Sequence, residues 1–365
     1  MSIHMKGLEK KHTQYLYGCA ILMMQFHHLF SVPERLNGNA IETYSNEYSL
    51  FIGFAWSCKL CVAIFAFLSG YGMMKSSYIY KKKIKEANYS IIDGYKVSLK
   101  RYLRFMKKYW LVFLVFYLFG LSINKVKLMS IEQMIRCLLG LSDYINREWW
   151  YVKQYIIFLL FFPILEFMLF NIKTKKIGRF FLCIISTCIA LILYISFTSM
   201  SNVIILARAI LGSPVYWIIF LIGMCCAISG LFERITCFLP EKKTIRFFIG
   251  ASFIIFVFFM RISFSIDADY NDIDMFLIIP LICGLLLIGN SNCWLEKIFC
   301  QLGKHSTYIW LTHTFYCYYY FENFFNAMHS KAVQLVVLII VSYLTAILLQ
   351  RLQENCEIYF IHATK

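Results

Sequence analysis

The chain has 365 residues, of which 60% are hydrophobic, 18% aromatic and only 15% charged, with a formal net charge of +16. Its apolar residues fall in blocks long enough to cross about 30 Å of hydrocarbon, which excludes a soluble globular protein. The basic excess follows from membrane topology, as set out next, so no nucleic-acid partner is expected.

Hydropathy predicts ten helices, at about 15–31, 49–75, 109–124, 149–171, 180–198, 213–231, 246–264, 273–290, 305–322 and 332–350. The connectors are short and no Gly/Pro/Ser-rich linker interrupts them. We therefore expect an all-α, polytopic membrane helix bundle forming a single domain over residues 1–365. With the N-terminus inside, 25 Lys/Arg fall on the inner side and 7 on the outer. That asymmetry predicts cytoplasmic termini. The first apolar run is too long for a signal peptide and lacks a small-residue cleavage site, so it is expected to remain attached.

Along the chain, the first helix carries His27 and His28 just past its middle. Ionisable groups inside lipid normally face a protein interior or a wet cavity, which makes the pair a candidate site. In the second helix, Cys58 and Cys61 have redox or zinc spacing but no second pair, and no metal is expected there. The fourteen cysteines mostly lie in apolar blocks and should pack as small hydrophobes. Lys59 is an intramembrane charge that must find a partner or line a cavity. Ser69, Gly70 and Gly72 permit close backbone approach.

The inner stretch from Tyr80 to Trp110 is strongly basic. Its lysine run suits anchoring to anionic membrane lipid. Arg101 and Arg104, three residues apart, share one helix face, and guanidinium forks suit phosphate recognition. On the outer side, Ile131, Met134, Ile135, Leu138, Leu139 and Leu141 recur at helical spacing, predicting a short interfacial helix. It leads into Trp149 and Trp150, which fit an aromatic belt. Arg261 is expected to snorkel towards Asp267-Ala268-Asp269. The run Asp267, Asp269, Asp272 and Asp274 lacks the glycine and terminal glutamate of a calcium loop, and reads as a solvated loop.

Four segments together resemble one known family. Tyr17-Gly18 leads to Phe26-His27-His28-Leu29-Phe30, and the second helix ends Phe65-Ala66-Phe67-Leu68-Ser69-Gly70-Tyr71-Gly72. The fourth opens Trp149-Trp150-Tyr151-Val152, and the ninth is entered through Gly303-Lys304-His305-Ser306 and continues Ile309-Trp310-Leu311-Thr312-His313. In that order they resemble the integral-membrane acyltransferase family three, many of whose members O-acetylate extracytoplasmic sugars, and its Gram-positive branch in particular. The resemblance spans Tyr17 to about Phe321. It aligns His28 with the family's essential histidine and Arg101-x-x-Arg104 with its inner arginine pair, while Tyr17 stands where the family has a basic residue.

What the resemblance implies is an O-acetyltransferase in a bacterial plasma membrane, with acetyl-CoA as acyl donor and a cell-surface polysaccharide or its lipid-linked precursor as acceptor. His28 would act as general base, because neutral imidazole accepts a proton near pH 7. One helix step turns about 100°, so one histidine serves as base and His27 as helper. Arg101, Arg104, Ser69 and Gly70 are the candidate cofactor contacts, and His313, Ser306, Trp150 and Lys59 the candidate substrate or cavity residues. His28, His27 and His313 also admit a packing role through interhelical hydrogen bonds. Direct transfer and a covalent acyl-enzyme both stay open, as does a homo-oligomer. A carrier or flippase moving a glycolipid or small solute without chemistry is the alternative.

Overall fold

The structure, a computed structural model, describes residues 8–32, 50–83, 90–171, 212–237, 240–264 and 272–363. The helix expected at 180–198 and the acidic residues Asp267 and Asp269 lie outside them. Helices are numbered here in chain order among the described residues: α1 Lys10–Phe30, α2 Leu50–Ser57, α3 Leu60–Lys83, α4 Ile91–Ser122, α5 Ile131–Leu138, α6 Trp150–Asn171 and α7 Pro214–Ser229. There follow α8 Leu231–Cys237, α9 Lys243–Phe264, α10 Asp274–Ser291, α11 Cys293–Lys304, α12 Ser306–Thr314, a π turn Phe315–Tyr319, α13 Glu322–Asn326 and α14 Lys331–Ala363. Six of the described helical segments are long and apolar enough to cross a membrane. No strand occurs among the described residues.

Local chemistry sets several of the boundaries. Glu9 and His12 form a reciprocal capping box at the start of α1, and Ser130 accepts from Gln133 N at the start of α5. α7 begins with Pro214 and ends at Gly230, whose φ of 64° is a left-handed stop. α5 is a short helix where the spacing expects one, with Glu132 paired to Arg136 at 2.9 Å.

Two helix pairs pack backbone to backbone around the site. A Cβ on Gly70 would lie 2.0 Å from the Phe220 carbonyl, and one on Gly223 would lie 2.2 Å from that of Phe67, so α3 and α7 touch through their glycines. Gly18 and Gly303 do the same for α1 and α11. The outward faces of α4, α9 and α14 carry Leu114, Phe259 and Leu344, exposed and suited to lipid.

Several boundaries depart from the hydropathy reading. The second predicted helix breaks at Cys58 and Lys59 into α2 and α3, where Lys59 N bonds the Trp56 carbonyl at 3.0 Å. Hydropathy does not register such a break, because both flanks are apolar. The stretch from Ile91 is not a connector but the first half of α4, and the last helix runs on to Ala363. Lys, Arg, Gln and Glu are good helix formers, so these helices continue beyond their apolar portions.

Arg261 and Asp274 also correct the expectation. Arg261 does not reach for solvent: its Nε lies 2.7 Å from Asp274 Oδ1, with the side chains 2% and 0% exposed. Asp274 belongs to this buried pair and not to a solvated loop. A guanidinium with a carboxylate beside it has no need to seek water.

A candidate active site between two clamped loops

The last turn of α1 places His27 and His28 at the end of the bundle opposite Lys11, Arg101 and Lys304. Both rings line a cavity of 240 Å³, whose other walls include Lys59, Glu148, Trp150, Trp310 and Tyr318. His27 Nδ1 stands 2.9 Å from the Ala55 carbonyl, so that nitrogen carries the proton and ties the ring to α2. The rings of His27 and Trp56 stand 5.4 Å apart.

His28 is held differently. The Tyr318 hydroxyl donates to the carbonyl of His28 and stands 3.2 Å from Nδ1 of the same residue. The other ring nitrogen, Nε2, lies 4.0 Å from Glu148 Oε2, with the side chains 15% and 22% exposed. His313 backs the ring, with centroids 5.1 Å apart.

The segments carrying Tyr318 and Glu148 are stitched together. Asn146 donates to Thr314 at 2.7 Å, Arg147 N to the Tyr319 hydroxyl at 2.9 Å, and Trp149 Nε1 to the Leu311 carbonyl at 3.0 Å. Asn146 also accepts from Glu148 N at 3.0 Å. The π turn, which adds a residue to the helical repeat, is what sends Tyr318 to His28 while Tyr319 goes to Arg147.

The remaining candidates divide between the two ends. His313 is fully buried outside the cavity wall, with Nδ1 2.8 Å from the Trp310 carbonyl and Nε2 without a hydrogen-bond partner among the described residues. Ser306 begins α12, about 10 Å of helix rise from His313, and is not a cavity residue. Arg101 is half-buried and donates to the Gly72 carbonyl at 2.5 Å and the Ser76 hydroxyl at 2.6 Å. Arg104 is exposed. Ser69 donates to Phe65 O at 2.7 Å, and Gly70 faces α7. Lys59 lies within electrostatic reach of Asp274, which links the cavity to the buried ion pair behind it.

Between cavity and Arg101 lies an aromatic collar. Trp310 stands 6.3 Å from Phe65, 5.8 Å from Tyr151 and 6.0 Å from Phe105. Tyr17 packs 5.6 Å from Phe65 and is within electrostatic reach of Arg101. A cation from α4 thus stands near the position where the resemblance expects one on α1.

A family model described as an acyltransferase domain matches residues 14–351. The chain belongs to the membrane acyltransferase family three. No curated protein and no solved structure matches it. For this acyltransferase, sequence reasoning overlooked Glu148 and Tyr318. Glu148 directly precedes the quoted Trp149-Trp150, an acid at the edge of a belt of aromatics, and that position was the available signal. Tyr318 sits in a run of seven aromatic and cysteine residues and gave none.

Proposed function

We propose that this membrane acyltransferase is an O-acetyltransferase that passes an acetyl group from cytoplasmic acetyl-CoA to a hydroxyl of an extracytoplasmic cell-surface polysaccharide or its lipid-linked precursor. The observation that carries the reading is His28, set in a cavity wall with its Nε2 near a carboxylate, in a family whose matched domain is an acyltransferase. The basic end of the bundle is the cytoplasmic one by the positive-inside rule. There Arg101 and Arg104 offer guanidinium groups to the phosphates of the donor. From the Gly72 carbonyl, which Arg101 touches, to Cys61 in the cavity wall is about 16 Å along α3. The thioester would cover that span through the aromatic collar.

The chemistry needs a base where the two substrates meet. With a sugar hydroxyl at Nε2, His28 takes the hydroxyl proton as the oxygen bonds to the thioester carbon, and returns it to the sulfur as the C–S bond breaks. A covalent acyl-enzyme would use the same base twice. Lys59 places a positive charge in the cavity where negative charge develops on the carbonyl oxygen. The cavity is smaller than the roughly 300–1,000 Å³ of drug-sized ligand sites, which suits an acetyl group and one sugar ring better than a long acyl chain.

The test is transfer of label from acetyl-CoA to surface glycan by membranes containing the protein. Label should appear in the glycan with the native chain and vanish with His28→Ala at equal membrane levels. Unlabelled glycan with the native chain would point to a carrier, and retained labelling with H28A would remove His28 from its role.

A further inference from the structure

Two groups beside His28 are arranged so that its ring nitrogens have different neighbours. A tyrosine hydroxyl has one proton, and that of Tyr318 goes to the backbone carbonyl of His28. Its oxygen is then left to accept from Nδ1, 3.2 Å away. The proton of the neutral ring therefore sits on Nδ1, and the lone pair sits on Nε2. That nitrogen is the one 4.0 Å from the Glu148 carboxylate, a gap wider than a hydrogen bond. Both residues line the cavity, where an acceptor hydroxyl within about 3 Å of Nε2 would donate its proton to that nitrogen.

We propose that Tyr318 and Glu148 are positioning residues for His28: the hydroxyl fixes the tautomer that presents a lone pair to the cavity, and the carboxylate stabilises the imidazolium formed when that lone pair takes the acceptor's proton. The proposal rests on the reading of His28 as the base. Neither residue needs to touch the acyl group. The clamp is part of the protein's frame, because the Tyr318 hydroxyl bonds the backbone and the ring of one and the same residue. The segment carrying Glu148 is tied to the one that supplies Tyr318 through Asn146, Arg147 and Trp149.

Among the described residues, the other titratable groups facing the ring include His27 on its own helix and His313 from α12, with ring centroids at 5.2 and 5.1 Å. Lys59, Cys61 and Tyr151 share the cavity wall. Neither Tyr318→Phe nor Glu148→Gln alters any of them. Tyr318→Phe also keeps the ring, whose centroid is 5.6 Å from that of His28, and removes the hydroxyl alone.

The experiment compares the full-length native chain, Y318F, E148Q and H28A in membranes across about pH 5 to 8, where imidazole changes charge. The same four proteins are labelled with nitrogen-15 histidine, and the His28 signals are assigned by their absence in H28A. Y318F should lose about tenfold or more in turnover with half-saturation for the donor unchanged, and its His28 should lose the preference for a proton on Nδ1. E148Q should transfer more slowly on the plateau. Its acid limb, and the His28 titration midpoint, should move to lower pH, because a neighbouring negative charge favours the charged ring and its removal does the reverse. Undiminished turnover in Y318F, an Nδ1–H tautomer retained there, or an unmoved midpoint in E148Q would overturn the proposal. A native chain that transfers nothing would overturn the functional reading instead, and the nitrogen-15 spectra would still decide the clamp.

Discussion

Lys59 occupies the turn that separates α2 from α3 and lines the same cavity as His28. An ammonium there, within electrostatic reach of Asp274, acts on whatever charge develops inside the cavity. Replacing it by Met should slow transfer by about 10²- to 10³-fold, as loss of a preorganised oxyanion partner does, with membrane levels unchanged on a blot. Arg261 and Asp274 call for a different experiment. Removing one partner leaves the other charge buried, so R261M should cost about 3–5 kcal/mol and lower the unfolding temperature of detergent-purified protein, while the double variant R261M/D274L regains most of the loss. At this scale His28 was legible in the sequence, because an imidazole among apolar residues is conspicuous. Tyr318 and Glu148 were not. Each looks ordinary in its own segment, and their meeting with His28 depends on packing between residues 146–149 and 311–319 that no local pattern encodes. Arg261 was misread for the same reason, since its partner lies across a loop.

At the scale of elements, the glycines of α3 separate packing from ligand access. Gly70 lies against the Phe220 carbonyl at a distance no side chain tolerates, so Gly70→Val should force α3 and α7 apart and yield aggregated protein on size exclusion. Gly72→Ala meets only the end of the Arg101 side chain, at 3.6 Å, and should fold normally. If both variants behave alike, the α3–α7 contact is not what the glycines serve. Among the described residues, helix existence was legible from blocks of hydropathy and α5 from its spacing. The ends of α4 and α14 were not, because helix propensity outlasts hydrophobicity, and the break at Cys58 is silent in composition.

For the whole molecule, charge asymmetry gives an orientation that a labelling experiment reads directly. Cys293 and Cys356 are exposed, and both lie at the basic end near Lys11 and Lys107, to which Glu296 and Glu357 from their own helices are paired. A membrane-impermeant maleimide should leave both unlabelled in intact cells and label them in inverted vesicles. The opposite pattern would reverse the bundle, and with it the side from which each substrate enters.

The π turn at Phe315–Tyr319 has a consequence for how such a protein can change. One surplus residue there decides which aromatic hydroxyl meets α1 and which meets the segment after α5. Excising one position would restore ordinary pitch and swing the following side chains by about 100°. Such a chain would keep its hydrophobic thickness and its place in the bilayer, yet the Tyr318 hydroxyl would no longer reach His28. Loss of catalysis in this lineage can thus hide inside an intact-looking span.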